Sequence, residues 1–118
     1  MWDIRKWLMG TLLVLLAGCS ESLPVEREEY AGLWRNQYIV LYIGMDGSVQ
    51  YKKQVGNATT SINAPIKTFM GDDFEVGVGP FSTVFKVSKP PYRDGKTWKM
   101  VVDEQELTRV DASEQTEI

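Results

Sequence analysis

From position 30 onward, apolar and polar side chains alternate mostly with a period of two, the pattern of strands with one face buried. Tyr38, Ile39, Val40, Leu41, Tyr42 and Ile43 form an unbroken β-branched and aromatic run, which predicts a strand buried on both faces or nearly so. Met45-Asp46-Gly47-Ser48 reads as a turn in which Gly47 takes positive φ. Val49 and Tyr51 then share one face of a second strand over residues 48–52, so the stretch predicts a hairpin. Residues 57–60 are turn-like, and residues 62–70 predict a strand broken or edged by Pro65. Gly71-Asp72-Asp73 is another turn. Phe74, Val76 and Val78 alternate after it, and Gly79-Pro80 punctuates. Residues 81–88 predict a strand, residues 89–96 a loop with tandem proline, residues 97–102 a strand, residues 103–105 a turn, and residues 107–110 a last short strand.

That is about seven closely spaced strands with no long helical stripe. It predicts an all-β domain, a small antiparallel meander rolled into a barrel or folded as a sandwich. The chain has 118 residues, which is one domain's worth, and its single cysteine excludes an intramolecular disulfide framework. The core must therefore come from side chains of high apolar area. Trp34, Tyr38, Tyr42, Tyr51, Phe69, Phe74, Phe81, Phe85 and Trp98 are the candidates. Each aromatic buries on the order of 150–250 Å².

The first residues follow a different pattern. Arg5 and Lys6 precede an apolar run over residues 8–16, then Leu16-Ala17-Gly18-Cys19. The apolar stretch to Gly18 reaches roughly 16 Å as a helix, about half a hydrocarbon core, so it has the layout of a secretory signal peptide rather than a span. Leu16-Ala17-Gly18-Cys19 resembles the lipobox of bacterial lipoproteins. The resemblance implies diacylglycerol transfer to the Cys19 thiol, cleavage between Gly18 and Cys19, and acylation of the new amine. Two or three acyl chains on one residue make a permanent anchor. Ser20 resembles the sorting signal of lipoproteins sent to the outer membrane. The expected organisation is a leader over 1–18, a lipidated acidic tether over 19–29, a β domain over 30–111 and a flexible tail over 112–118. Within the tether, residues 25–30 also suit a short helical turn.

Charge reinforces this division. Residues 21–29 carry net −3, residues 30–102 net +4 and residues 103–118 net −5, a mildly basic body between acidic ends. Lys86, Lys89, Arg93, Lys96 and Lys99 surround Pro90-Pro91-Tyr92, so Lys86, Lys89, Tyr92, Arg93, Lys96 and Lys99 form a candidate rim for a partner or an anion. Nucleic acid is not expected, because residues 19–118 are acidic overall and the compartment is wrong.

Gly32-Leu33-Trp34 resembles the Gly-x-Trp signature of lipocalins and related calycin barrels. In that family the tryptophan closes one end of the barrel under a basic residue from the last strand. Arg109 stands where that partner would be, so Trp34 and Arg109 are a candidate barrel-closing pair. The resemblance implies a small apolar ligand inside the barrel.

Catalytic groups are sparse. With no histidine, Ser-His-Asp and Cys-His arrangements and most zinc and iron sites are excluded. Asp72-Asp73 and Asp103-Glu104 are adjacent in sequence, so on strands their carboxylates point apart. Asp46-Gly47 lacks the spaced ligands of a calcium loop, and no glycine-rich phosphate loop is present. No enzyme, cofactor or metal is expected. The expected role is a non-catalytic binding or envelope-assembly module on the periplasmic face of the outer membrane. Its partners would be the membrane, through the lipid, and an envelope protein or an apolar or anionic small molecule. The alternatives are a lipocalin-like carrier or an inhibitor of an envelope-degrading enzyme such as lysozyme.

Overall fold

The structure is a computed structural model that describes residues 22–110; the leader, Cys19 and the tail lie outside the described residues. A short 3-10 helix (Val25–Tyr30) precedes nine strands: β1 (Gly32–Arg35), β2 (Ile39–Ile43), β3 (Ser48–Val55), β4 (Ala58–Met70), β5 (Asp73–Val78), β6 (Phe81–Phe85), β7 (Val87–Asp94), β8 (Thr97–Val102) and β9 (Gln105–Arg109). They form one curled antiparallel half-barrel in the order β6-β5-β4-β3-β2-β1-β9-β8-β7. The first strand joins the last through Trp34↔Arg109 and Arg35↔Thr108. The two edge strands, β6 and β7, are separated in sequence by Lys86 alone.

The all-β expectation holds, with nine strands rather than seven. The two additions are β1, too short to display a period, and β7, expected as a loop. The tandem proline made residues 89–96 read as irregular. Proline is nonetheless tolerated on an edge strand and at bulges, where its missing N–H costs no ladder bond. Pro90 and Pro91 sit at such a register shift, between Lys89↔Val101 and Tyr92↔Lys99. Residues 57–60 are likewise not all turn. Gly56 (φ 60°) and Asn57 make the reversal, and Ala58 already pairs with Val55.

Local chemistry explains the other turns. Asp46 accepts the Ser48 N–H at 3.0 Å and the Ser48 hydroxyl at 2.7 Å while Gly47 takes φ 84°. Those two bonds, the hydroxyl's first, hold the Asp46 carboxyl below its usual range. Pro65 does not break β4. It pairs with Ser48 at the start of β3, after which Ile66 donates to the Gly47 carbonyl and β4 takes up β5 as its partner.

The inner face carries the core. Ile39, Leu41 and Ile43 point inward from β2, and Val40 and Tyr42 point out, so this strand is buried on one face only. Trp34, Phe74, Phe85, Leu41, Met100 and Leu107 are among the fully buried side chains. Tyr51, Phe69 and Trp98 are partly buried against them. Tyr38, Tyr42 and Phe81 are exposed, contrary to their candidacy for the core. Aromatic character alone does not choose a face; strand register does.

The 3-10 helix belongs to the core as well. Leu23 and Tyr30 are buried, and Leu23 donates its N–H to the Met45 carbonyl at 2.9 Å. The second half of the acidic stretch is therefore packed against the sheet rather than extended from it. The Tyr30 ring meets Phe69 and Phe74 edge-on, and its hydroxyl donates to the Asp72 carbonyl at 2.9 Å. Burial, with the Asp72 charge second, pushes the phenol up to about 12. An acid whose folded pKa lies above its unfolded value stabilises the fold fully below pH ~10. That contribution is lost as pH rises through about 12. Unfolding midpoints measured across that window should fall in the parent chain and fall less in Tyr30→Phe; equal slopes would mean another group controls alkaline unfolding.

Candidate functional site

The tryptophan and the basic residue suggested as a pair do meet. Trp34 on β1 is fully buried, and its ring N–H donates to the Tyr30 carbonyl at 2.8 Å. The Arg109 guanidinium carbon lies 5.7 Å from the Trp34 ring centre and 4.9 Å from that of Trp98. Arg93 lies 5.6 Å from the same Trp98 ring. The inner face thus holds the row Arg93, Trp98, Arg109 and Trp34, running from β7 through β8 and β9 to β1. Register produces it, because directly opposed residues share a face: Arg93 opposes Trp98, and Trp34 opposes Arg109.

Gly32 makes room for the row. It takes φ 136°, and a Cβ there would come within 2.8 Å of Arg109 Cδ. A cation over an indole contributes about 0.5–2 kcal/mol. A double-mutant cycle on Trp34 and Arg109 is expected to show coupling in that range. Coupling near zero would reduce the pair to proximity.

The six residues of the suggested rim do not form one surface. Tyr92 opposes Lys99 on the outer face, away from Arg93 and Trp98. Lys99 is ion-paired to Asp94 at 3.2 Å and to Glu106 at 3.3 Å. Hydrogen bonds from these two carboxylates, Asp94 first, hold the Lys99 ammonium above its usual range. Tyr92 donates to Glu106 at 3.4 Å, and Lys89 sits 5.8 Å from the Tyr92 ring centre. Lys96 is exposed in the turn between β7 and β8, and Lys86 is exposed between β6 and β7. The cations are thus divided between two faces and two loops, and Lys99 is matched by acids.

The adjacent acids have structural tasks. Asp73 accepts the Val87 N–H at 2.7 Å, and Asp103 accepts the Lys86 N–H at 2.9 Å. Asp103 also donates its own N–H to the Lys86 carbonyl at 2.7 Å. Both carboxylates therefore hold the one-residue junction at which the half-barrel's edges meet. Asp103 and Glu104 take φ 49° and 66°, which is what a two-residue hairpin turn of this kind requires. Among the described residues, no group of three or more His, Cys, Asp or Glu is placed to hold a metal ion.

A second feature was not singled out from the sequence. On the outer face of β1–β4, Leu33, Val40 and Tyr42 floor an open hollow of about 580 Å³, walled by Gln50, Ser61 and Asn63. Val40 stands between Arg35 on β1 and Lys52 on β3. Neither cation has an ion pair among the described residues. The result is an apolar floor between two cations. The signal was alternation: assigning Ile39, Leu41 and Ile43 to one face of residues 38–43 turns Val40 and Tyr42 outward.

No protein-family model, curated protein or solved structure matches the chain.

Proposed function

We propose that the chain is a lipid-anchored protein of a bacterial envelope. Cys19 carries the lipid, and the β head is a non-catalytic binding or assembly module on the periplasmic side of the outer membrane. The observation that carries this reading is a spacing. Leu16-Ala17-Gly18-Cys19 resembles a lipobox, and Leu23, only four residues later, is already a core side chain. Four residues extend at most about 14 Å. Acyl chains on Cys19 would hold the head against the bilayer, and the packed 3-10 helix would fix which end faces it.

Surface contact accounts for the rest of the architecture. The inner face is taken up by the chain's own side chains, Trp34, Phe74, Phe85 and Met100 among them. That favours recognition on the outside over carriage within. The groove of Leu33, Val40 and Tyr42, flanked by Arg35 and Lys52, suits an apolar surface bordered by carboxylates.

The test is Cys19→Ser in the full chain. The parent should fractionate with membranes and show acyl groups on its N-terminal peptide by mass spectrometry. The variant should be soluble, or retain its leader uncleaved. A parent with an unmodified thiol, or a variant bound through a processed N-terminus just as tightly, would refute the anchor.

A further inference from the structure

The two edges of the half-barrel are finished differently. β7 carries Pro90, Pro91, two register shifts, Lys89 and Arg93, all devices that prevent an edge from pairing with another strand. β6 reads Phe81-Ser82-Thr83-Val84-Phe85, with no proline, no charge and unbroken register against β5. The Gly79-Pro80 turn joins the opposed Val78 and Phe81, the hydrogen-bonded closing pair of a two-residue hairpin. By alternation, Ser82 and Val84 turn their N–H and C=O groups away from β5. No strand among the described residues takes them, since β6 ends the sheet. Phe81 is 80% exposed and Val78 63%, beside an open hollow of about 600 Å³ with Ile62, Ala64 and Val76 in its wall.

We infer that β6 is a docking edge for an extended segment of a partner protein, which adds as a tenth strand and sets an apolar side chain against Phe81 and Val78. A row of backbone donors and acceptors at strand spacing selects a polypeptide strand, because only a second backbone repeats the same groups at the same interval. The choice among strands rests on the anchor reading. Arg27 and Tyr30 of the 3-10 helix bond to the Gly71-Asp72 turn at one end of β5. The Gly79-Pro80 tip is at the other end, one strand length or about 20 Å away. A tether of four residues on the helix side therefore leaves the tip off the bilayer. A second copy pairing β6 to β6 about a two-fold axis would run antiparallel. Its 3-10 helix, and so its anchor, would point to the opposite end, out of reach of the same membrane.

A photoreactive phenylalanine analogue placed at Ser82 or Val84 of the full chain, in bacteria that produce it, tests this. Gln54, exposed on β3, serves as control. The expected result is one heterologous protein from both edge positions, with the two adducts mapping two residues apart in a single segment. Val84→Pro removes an outward N–H and spares the β5 bonds, so it should reduce the Ser82 adduct roughly tenfold or more. Adducts to lipid, to a second copy, or scattered without register would overturn the inference, as would none. Acylation of Cys19 is read from the same samples. An acylated chain without the register pattern ends the docking edge and keeps the anchor. An unacylated chain with the pattern does the reverse.

Discussion

Replacing Trp34 with alanine is expected to destabilise the head by about 3–5 kcal/mol, the range for removing a fully buried indole from a core. For a domain of this size that lowers the thermal midpoint by more than about 12 °C. Three losses combine. The ring is fully buried among side chains of both halves of the sheet. Its N–H leaves the Tyr30 carbonyl, to which it donates at 2.8 Å, without a partner. Arg109 loses one of its two indole faces. Trp98→Ala should cost distinctly less, because Trp98 is only partly buried. Urea unfolding followed by far-ultraviolet dichroism measures both. Equal costs for the two tryptophans would mean that Trp34 is not the centre of the core.

The second large effect belongs to a glycine in an extended strand. A Cβ at Gly77 would lie 2.1 Å from the Phe81 carbonyl oxygen and 2.6 Å from Ser82 Cα. Both are backbone atoms of β6, so relief requires the two strands to separate. Overpacking of this sort costs about 1–3 kcal/mol, and an obstacle that cannot rotate away places Gly77→Ala at the upper end. The comparison is Gly79→Ala in the adjoining turn. Nothing lies within 4 Å of a Cβ there, and only the positive φ of 59° opposes the change, at about 1 kcal/mol. Gly77→Ala should also speed amide exchange along Phe81–Phe85. Equal midpoints for the two variants would mean that β5 and β6 are less closely apposed than their register indicates.

The alternating runs made the class of fold legible before any coordinates, because a period of two can bury one face only as a strand. The Asp46-Gly47 and Gly71-Asp72 reversals were legible for the same kind of reason: side chain-to-backbone bonding and positive φ are properties of a few neighbouring residues. The leader pattern ending at Cys19 is local too, and it is the basis for the proposed anchor.

Everything that needed two distant segments to meet was decided by tertiary structure. Residues 89–96 became β7 because an edge strand has no second neighbour to miss the prolines' N–H groups. Tyr42 and Phe81 share their composition with buried Tyr30 and Phe74, and register against other strands put the first two in solvent. The basic rim came apart because Tyr92 opposes Lys99 while Arg93 opposes Trp98, a division that linear spacing across a bulge does not reveal. The acids at Asp73 and Asp103, adjacent to other acids and without visible purpose along the chain, converge on the backbone of Lys86 and Val87. Local sequence carries periodicity, turn chemistry and an N-terminal processing pattern, since these act over a few residues. Which faces are covered, which charges find partners and which edge is left open depend on contacts between residues far apart in the chain, and those exist only once the sheet has curled.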